Sequence, residues 1–151
     1  MVANAYEQAI ELGSDPRECV CLNFRQASRV LTQKFDDALK PTGLTITQFS
    51  MLMPLEGKGP MRISELADFQ VIERTTLTRN LSVMEREGLV KIVPGDDKRT
   101  RVVQITGKGR KCMQAAVPIW NEMHQSVLSQ LGNSNWDGMR GEVQDLIRTL
   151  R

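Results

Sequence analysis

Histidine, cysteine and aromatic residues are scarce in this sequence of 151 residues, which has one histidine, three cysteines and only 5% Phe, Trp and Tyr. A protein zinc site needs four or, at a catalytic centre, three ligands at characteristic spacings, and no Cys-x-x-Cys pair occurs. Paired catalytic acids and a glycine-rich phosphate loop are missing from the sequence as well. We therefore expect no metal, no cofactor and no enzymatic activity.

Long apolar runs are also missing. No stretch approaches the roughly 20 apolar residues that a membrane-spanning helix needs. The start, MVANAYEQAIELGSDPRE, lacks the basic end and apolar core of a signal peptide. With 40% hydrophobic and 25% charged residues, the composition is that of a soluble globular protein, and the length suits one domain with helical extensions. We expect a cytoplasmic protein.

The net charge of +2 hides an uneven distribution. Residues 73–111 contain 10 basic and 5 acidic side chains, whereas residues 1–72 contain 7 and 9, and residues 112–151 contain 3 and 4. A basic centre between mildly acidic flanks favours one face for a polyanion over a generally basic surface.

Hydrophobic periodicity predicts a mainly helical chain with a small β-hairpin, an α+β fold class. Residues 1–16 are predicted to form a flexible arm or a short helix. Apolar residues at positions 20, 24, 27, 31, 35 and 38 predict a helix. Thr47 is expected to cap a second helix that Pro54 disturbs, and Ser64 to cap a third after a short edge strand at 61–63.

The period changes after Gly88. VKIV and RVVQIT read as two short strands joined by the polar turn PGDDKRT. Two more helices follow, with apolar stripes at positions 113, 116, 117, 120, 123, 127, 128 and 131, and at 136, 139, 143, 146, 147 and 150.

The stretch ERTTLTRNLSVMEREG, residues 73–88, combines a helical pattern with three threonines in its first turns. Each threonine costs roughly 0.5–0.7 kcal/mol relative to alanine in a helix, so another requirement selects them. Hydroxyl, amide and guanidinium groups on such turns are the groups that bond base edges and phosphates in a major groove. We take Leu77, Leu81 and Met84 as the buried stripe.

Helix, turn, helix and a hairpin with a charged tip is the order of a winged helix-turn-helix. The hairpin tip can reach a neighbouring minor groove or its phosphates, and Asp97 is expected to support the wing by a bidentate pair with an arginine. The predicted DNA contacts are Ser64, Arg74, Thr75, Thr76, Thr78, Arg79, Asn80, Lys98, Arg99 and Arg101.

The run ISELADFQVIERTTLTRNLSVMEREGLVKIVPGDDKRTRVVQITGKG resembles the core of the MarR family of bacterial transcription regulators, in the order and spacing of SELA, TTLTR, REGLV, DDKR and TGKG. GLTITQFSML and the terminal helices extend this resemblance to about residues 18–150. It implies a homodimer, most often a repressor, that reads a pseudo-palindrome of about 15–20 base pairs. It also implies dimerisation helices at 17–40 and 108–151 around a DNA-binding domain at 44–107.

Two positions depart from the family pattern. Val71 stands where the turn between the two helices usually has glycine, and Gln70 where leucine is usual. Since a branched residue tolerates positive φ badly, we expect this turn to have a different backbone. Glu73 is a weak helix cap, although its charge suits a helix N-terminus.

Three roles are open for the cysteines: metal ligand, redox-sensing thiol and small apolar residue in the core. Cys19 and Cys21, if both helical, would lie about 200° apart around the axis and could neither share a metal nor form a disulfide. Cys21 falls at the position of the reactive cysteine in the hydroperoxide-sensing branch of the family. That branch has two tyrosines where this sequence has Phe35 and Ile46, so we favour a small, half-buried apolar residue.

Most of the family instead responds to a small aromatic or anionic ligand between the dimer helices and the DNA-binding lobe. The resemblance, together with residue chemistry, makes a candidate pocket of Phe24, Arg25, Phe49, Met53, Trp120, Met123 and His124. Ordinary packing is the alternative for the methionines. A second function remains open, a winged helix whose basic face binds an acidic protein.

Overall fold

The computed structural model describes residues 4–97 and 99–151. The helices are α1 (Ala5–Glu11), α2 (Val20–Leu39), α3 (Ile46–Lys58), α4 (Ile63–Gln70), α5 (Arg74–Arg86), α6 (Gly107–Leu131) and α7 (Asn133–Thr149). The strands are β1 (Met61–Arg62), β2 (Val90–Pro94) and β3 (Arg101–Ile105), and short 3₁₀ turns occupy Pro16–Glu18 and Lys40–Thr42. The predicted α+β class is confirmed.

The three strands form one antiparallel sheet in the order β1-β3-β2. β2 and β3 make the hairpin, with Val90 opposite Ile105 and Pro94 opposite Arg101. β1 pairs with the other edge of β3, so that Met61 lies opposite Val103 and Arg62 opposite Val102. This register brings the start of α4 beside Arg101, at the end of the hairpin that leads to its tip.

One hydrophobic core joins the end of α2, the helices α3 to α5, the sheet and the start of α6. Leu39, Leu52, Leu66, Leu77 and Leu81 are fully buried in it. The predicted inward stripe of α5 is confirmed, since Leu77, Leu81 and Met84 are all buried. The helix-turn-helix of α4 and α5 and the hairpin of β2 and β3, which we call the wing, therefore pack on the same core.

Two predicted helix caps were each wrong by two residues. Thr45, not Thr47, caps α3: its hydroxyl accepts the N–H of Gln48, and the Gln48 side chain accepts the N–H of Thr45. α4 begins at Ile63, after Arg62, whose N–H bonds the carboxylate of Glu65. Ser64 thus lies inside the first turn, because the β1 pairing holds Arg62 in extended backbone.

Pro54 does not end α3, which continues to Lys58. Proline has no N–H, so the carbonyl oxygen of Ser50, four residues earlier, loses its helical partner. The side-chain amide of Gln70 donates to that oxygen at 2.7 Å. Gln70 thereby replaces the missing helical hydrogen bond and links α4 to α3. An unsatisfied carbonyl oxygen costs about 1–3 kcal/mol when buried. This cost is a physical reason for a glutamine at position 70.

The N-terminal region forms more structure than an arm. Asn4 caps α1 through the N–H groups of Tyr6 and Glu7, so the short-helix alternative is the one observed for residues 5–11. The first three residues of the predicted arm lie outside the described chain. Before α2, the carboxylate of Asp15 accepts hydrogen bonds from the guanidinium and from the backbone N–H of Arg17. Both bonds lower the pKa of this carboxyl, and the guanidinium has the larger effect.

Candidate nucleic-acid interface

A concave, basic surface lies where α4, α5 and the wing meet. Its cavity of about 350 Å³ is lined by Arg62, Ile63, Ser64, Arg74, Thr78, Arg99, Thr100 and Arg101. Four of these eight side chains are arginines, and none is acidic. Such a cradle suits a phosphate backbone, whose oxygens accept charge-assisted hydrogen bonds from guanidinium groups. We call this surface the arginine groove.

Five of the ten predicted DNA contacts line the arginine groove, although they come from three separate elements. Ser64 lies in the first turn of α4, Arg74 and Thr78 on one flank of α5, and Arg99 and Arg101 at the end of the wing. The buried stripe of α5 and the pairing of β1 with β3 bring them together. Lys98 lies outside the described residues.

Sequence reasoning missed three lining residues, Arg62, Ile63 and Thr100, of which Arg62 is the charged one. It is exposed on the two-residue strand β1, directly opposite Val102 and hence beside Arg101. The strand was expected at 61–63, but the sequence does not say which strand it joins. Only the pairing with β3 reveals that Arg62 faces the same cavity as the wing arginines.

Most arginines of α5, the wing and β1 have no carboxylate partner in the described residues. In the described parts of the chain, Arg62, Arg74, Arg79 and Arg101 form no ion pair within 4.0 Å, whereas Arg110 pairs with Glu56 and Arg148 with Asp145. A cation with no carboxylate partner keeps its attraction for an external anion.

The threonines of α5 divide into two groups. Thr78 donates its hydroxyl proton to the carbonyl oxygen of Arg74 at 2.7 Å, and Ser82 donates in the same way to Thr78 at 2.9 Å. The hydroxyl protons of Thr78 and Ser82 are thus bonded to carbonyl oxygens of the same helix. Thr75, Thr76 and Arg79 are exposed and Asn80 is half-buried, so their polar groups can reach base edges.

The wing tip is organised through backbone groups rather than through the predicted bidentate pair. The carboxylate of Asp97 accepts the N–H of Arg99 at 2.9 Å, and its carbonyl oxygen accepts the N–H of Thr100 at 2.8 Å. The guanidinium of Arg99 comes only to 4.0 Å from the carboxylate. Asp97 therefore supports the turn, because the short loop brings its side chain against the backbone, while the Arg99 side chain extends into solvent.

The turn between α4 and α5 corrects a second expectation. Val71 has φ 54° and ψ 42°, the left-handed conformation that glycine would favour. Its N–H and that of Ile72 close the end of α4 on the carbonyls of Asp68 and Ala67. The backbone of the turn is thus kept despite the branched side chain, at a cost of roughly 1–2 kcal/mol. The packing of α4 and α5 on the core, through Leu66 and Leu77, imposes this geometry.

The candidate ligand residues do not form one pocket in the single chain. Phe49, Met53 and Trp120 line a cleft of about 510 Å³ together with Ile46, Ser50, Phe69 and Gln70. Trp120 stacks on Phe49 at 5.5 Å between ring centroids and on His124 at 5.0 Å. Phe24 and Arg25 border a separate depression on α2, with Ser28 and Arg29. Met123 and His124 line neither, and sequence reasoning missed Ile46, Ser50, Phe69 and Gln70.

The cysteines are more exposed than expected. Cys21, predicted as half-buried, is exposed on α2, while Cys112 is half-buried against the core. Cys19 is the residue before α2, with φ −55° and ψ 114°, so the angle deduced from a shared helix does not apply to the pair. In residues 4–97 and 99–151, His, Cys, Asp and Glu side chains form no metal-binding group of three.

No helix in the described part of the chain has the length and apolarity to cross a membrane. An apolar core, two helices joined by a tight turn, and a hairpin beside the second helix define a winged helix-turn-helix DNA-binding protein.

Comparison with known proteins agrees with this class. Residues 44–100 match the model of the MarR family. The chain is similar to the uncharacterised regulator YwoH of Bacillus subtilis, with 34% identity over 57% of this chain and 63% of that protein. It is also similar to the transcriptional regulator HosA of Escherichia coli, with 31% identity over 71% of this chain and 74% of that protein.

Among solved structures, the fold is similar to that of the M. tuberculosis transcriptional regulator MosR in complex with DNA, with a TM-score of 0.82 and 42% identity over 88% of this chain and 96% of that one. The chain belongs to the MarR family. It is a DNA-binding transcriptional regulator and not an enzyme.

Proposed function

We propose that the protein acts as a homodimeric repressor that binds a pseudo-palindromic operator and is released by a small ligand. The supporting observation is the uncovered apolar face of the outer helices. In α2 only Phe35 and Leu39 are buried, while Val20 and Phe24 remain 62% and 48% exposed. α7 has no buried residue, and Met139 and Leu146 on it and Leu150 just after it are exposed.

Helices of this kind derive most of their stability from burying an apolar face. Extended apolar surface is rare on a soluble monomer and is typical of an interaction site. A second copy of the chain would cover α2, α6 and α7 symmetrically and place two α5 helices on one side of the dimer. Two half-sites one helical turn apart then match the two copies.

A negative charge placed in the apolar face of α2 should separate the two copies of the dimer. We expect Leu31→Glu to shift the purified protein from dimer to monomer in sedimentation, because a carboxylate would be buried in an apolar interface. Operator affinity should fall by about a hundredfold, since each lobe then binds without the other. Gln33→Glu is the matched control, because it adds the same charge to the opposite side of α2, where residue 33 is exposed. A Leu31→Glu protein that stays dimeric contradicts the proposed interface.

The aromatic cleft of Phe49, Met53 and Trp120 supports release by a ligand. The cleft lies where α3 and α4 of the DNA-binding lobe meet α6, and a bound ring would bias the position of the lobe. With benzoate as the probe, release of labelled operator that is lost in Trp120→Ala would support this part of the proposal. Unchanged operator binding at saturating benzoate, with no change in tryptophan fluorescence, counts against a small aromatic acid.

A further inference from the structure

Val83 is a partly exposed apolar residue on α5 that lies outside the buried stripe of this helix. The buried face of the helix consists of Leu77, Leu81 and Met84, whereas Val83 is 37% exposed. A branched residue is a poorer helix former than alanine or leucine, and the exposed part of Val83 gains nothing from burial within the single chain. Isolated exposed valines are common on protein surfaces. The position of this one on the recognition helix gives it a specific meaning.

Val83 shares a face of α5 with three of the predicted base contacts. Thr76, Arg79, Asn80 and Val83 have the spacing i, i+3, i+4 and i+7, which places side chains in one row along a helix. Recognition helices that lie in the major groove read base edges through residues with this same spacing. The other flank of α5, with Arg74 and Thr78, lines the arginine groove and faces the wing.

The side chains of this row include both hydrogen-bonding and apolar groups, as do the base edges in the major groove. Asparagine and arginine are the side chains that bond adenine and guanine edges in the major groove, whereas the one apolar feature there is the C5-methyl group of thymine. An aliphatic side chain at the end of a polar reading row is suited to contact that methyl group.

We propose that Val83 is a specificity residue that recognises the C5-methyl group of a thymine in each half-site. This inference rests on the proposed docking of α5 in the major groove. It adds a preference for thymine over cytosine, guanine and adenine at one position, and it requires no hydrogen bond.

The test removes the methyl group from the DNA rather than from the protein. A duplex selected from a random pool by the wild-type protein is resynthesised with deoxyuridine replacing one thymine at a time, which deletes only the methyl group. We expect one thymine per half-site at which this replacement weakens binding of the wild-type protein by about fourfold, the effect of one buried methyl group.

The Val83→Ala protein completes a double-mutant cycle. It should bind the parent duplex about fourfold more weakly per half-site and be indifferent to deoxyuridine at that position. Ser82→Ala is the matched control, because Ser82 is the exposed neighbour whose hydroxyl bonds the helix backbone, and it should keep the full deoxyuridine effect.

The inference can be overturned in two distinguishable ways. If Val83→Ala retains the whole deoxyuridine effect, or if no thymine shows one, Val83 does not read a methyl group, while the docking of α5 stands as long as Asn80→Ala still alters base preference. If the wild-type protein does not prefer the selected duplex to a scrambled one, the docking of α5 fails and the inference fails with it.

Discussion

Replacing both Arg99 and Arg101 with alanine should weaken DNA binding by about a thousandfold, on operator and on unrelated duplexes alike. The double substitution removes four cationic contacts from a dimer. At about 1 kcal/mol for each exposed ionic contact, the loss is roughly 4 kcal/mol. Both side chains line the arginine groove. In the described residues Arg101 has no carboxylate within 4.0 Å, and Arg99 has only the exposed Asp97, at 4.0 Å.

The salt dependence identifies the kind of contact that is lost. Each phosphate contact contributes a slope of about −0.9 to the plot of log affinity against log salt concentration, so the slope should become shallower by about 3 to 4. The measurement is fluorescence anisotropy of labelled duplexes at several salt concentrations. Arg17→Ala/Arg148→Ala is the control with equal charge loss, because both arginines are paired with neighbouring carboxylates away from the groove.

Thr76→Ala and Asn80→Ala should behave differently from the arginine variant. Loss of a contact to a base edge reduces discrimination by about 1–3 kcal/mol while leaving binding to unrelated DNA nearly unchanged. Unchanged affinity and unchanged salt slope in the arginine variant would contradict a phosphate-binding role for the groove. A uniform loss on all sequences in Asn80→Ala would contradict its role in base reading.

Gly109→Ala should lower the free energy of unfolding by about 2–3 kcal/mol, the usual cost of overpacking a core. Gly109 is buried in the first turn of α6, where an added Cβ would overlap the carbonyl oxygen of Leu89 and lie 2.8 Å from Cγ1 of Ile105. The same carbonyl oxygen accepts the N–H of Thr106 at 3.0 Å. Moving it would disturb the junction of α6 with both strands of the wing.

Gly107→Ala is the control for this effect. It lies in the same helical turn, but its added Cβ would meet no atom within 4 Å, so the helix should tolerate or even favour alanine. Urea denaturation of the two variants at equal protomer concentration gives the comparison, because the stability of a dimer depends on concentration. Equal midpoints for the two variants would show that α6 can shift away from Leu89 at no cost.

The sequence by itself determined the element order, the class of fold and the buried stripe of α5. These depend on local patterns: the spacing of Leu77, Leu81 and Met84 follows the helical period, and the strand pair follows the change of period after Gly88. Helix caps were less certain, as Thr47 and Ser64 illustrate, because several residues near each start can accept the same N–H groups.

Only the tertiary structure decided which residues meet. Arg62 joins Arg74 and Arg101 because β1 pairs with β3, and Gln70 serves the carbonyl freed by Pro54 because α4 packs on α3. Val71 takes a left-handed backbone because the packed helices on both sides outweigh its local preference. Contacts between residues far apart in sequence depend on how whole elements pack, and side-chain patterns within one element carry no record of that arrangement.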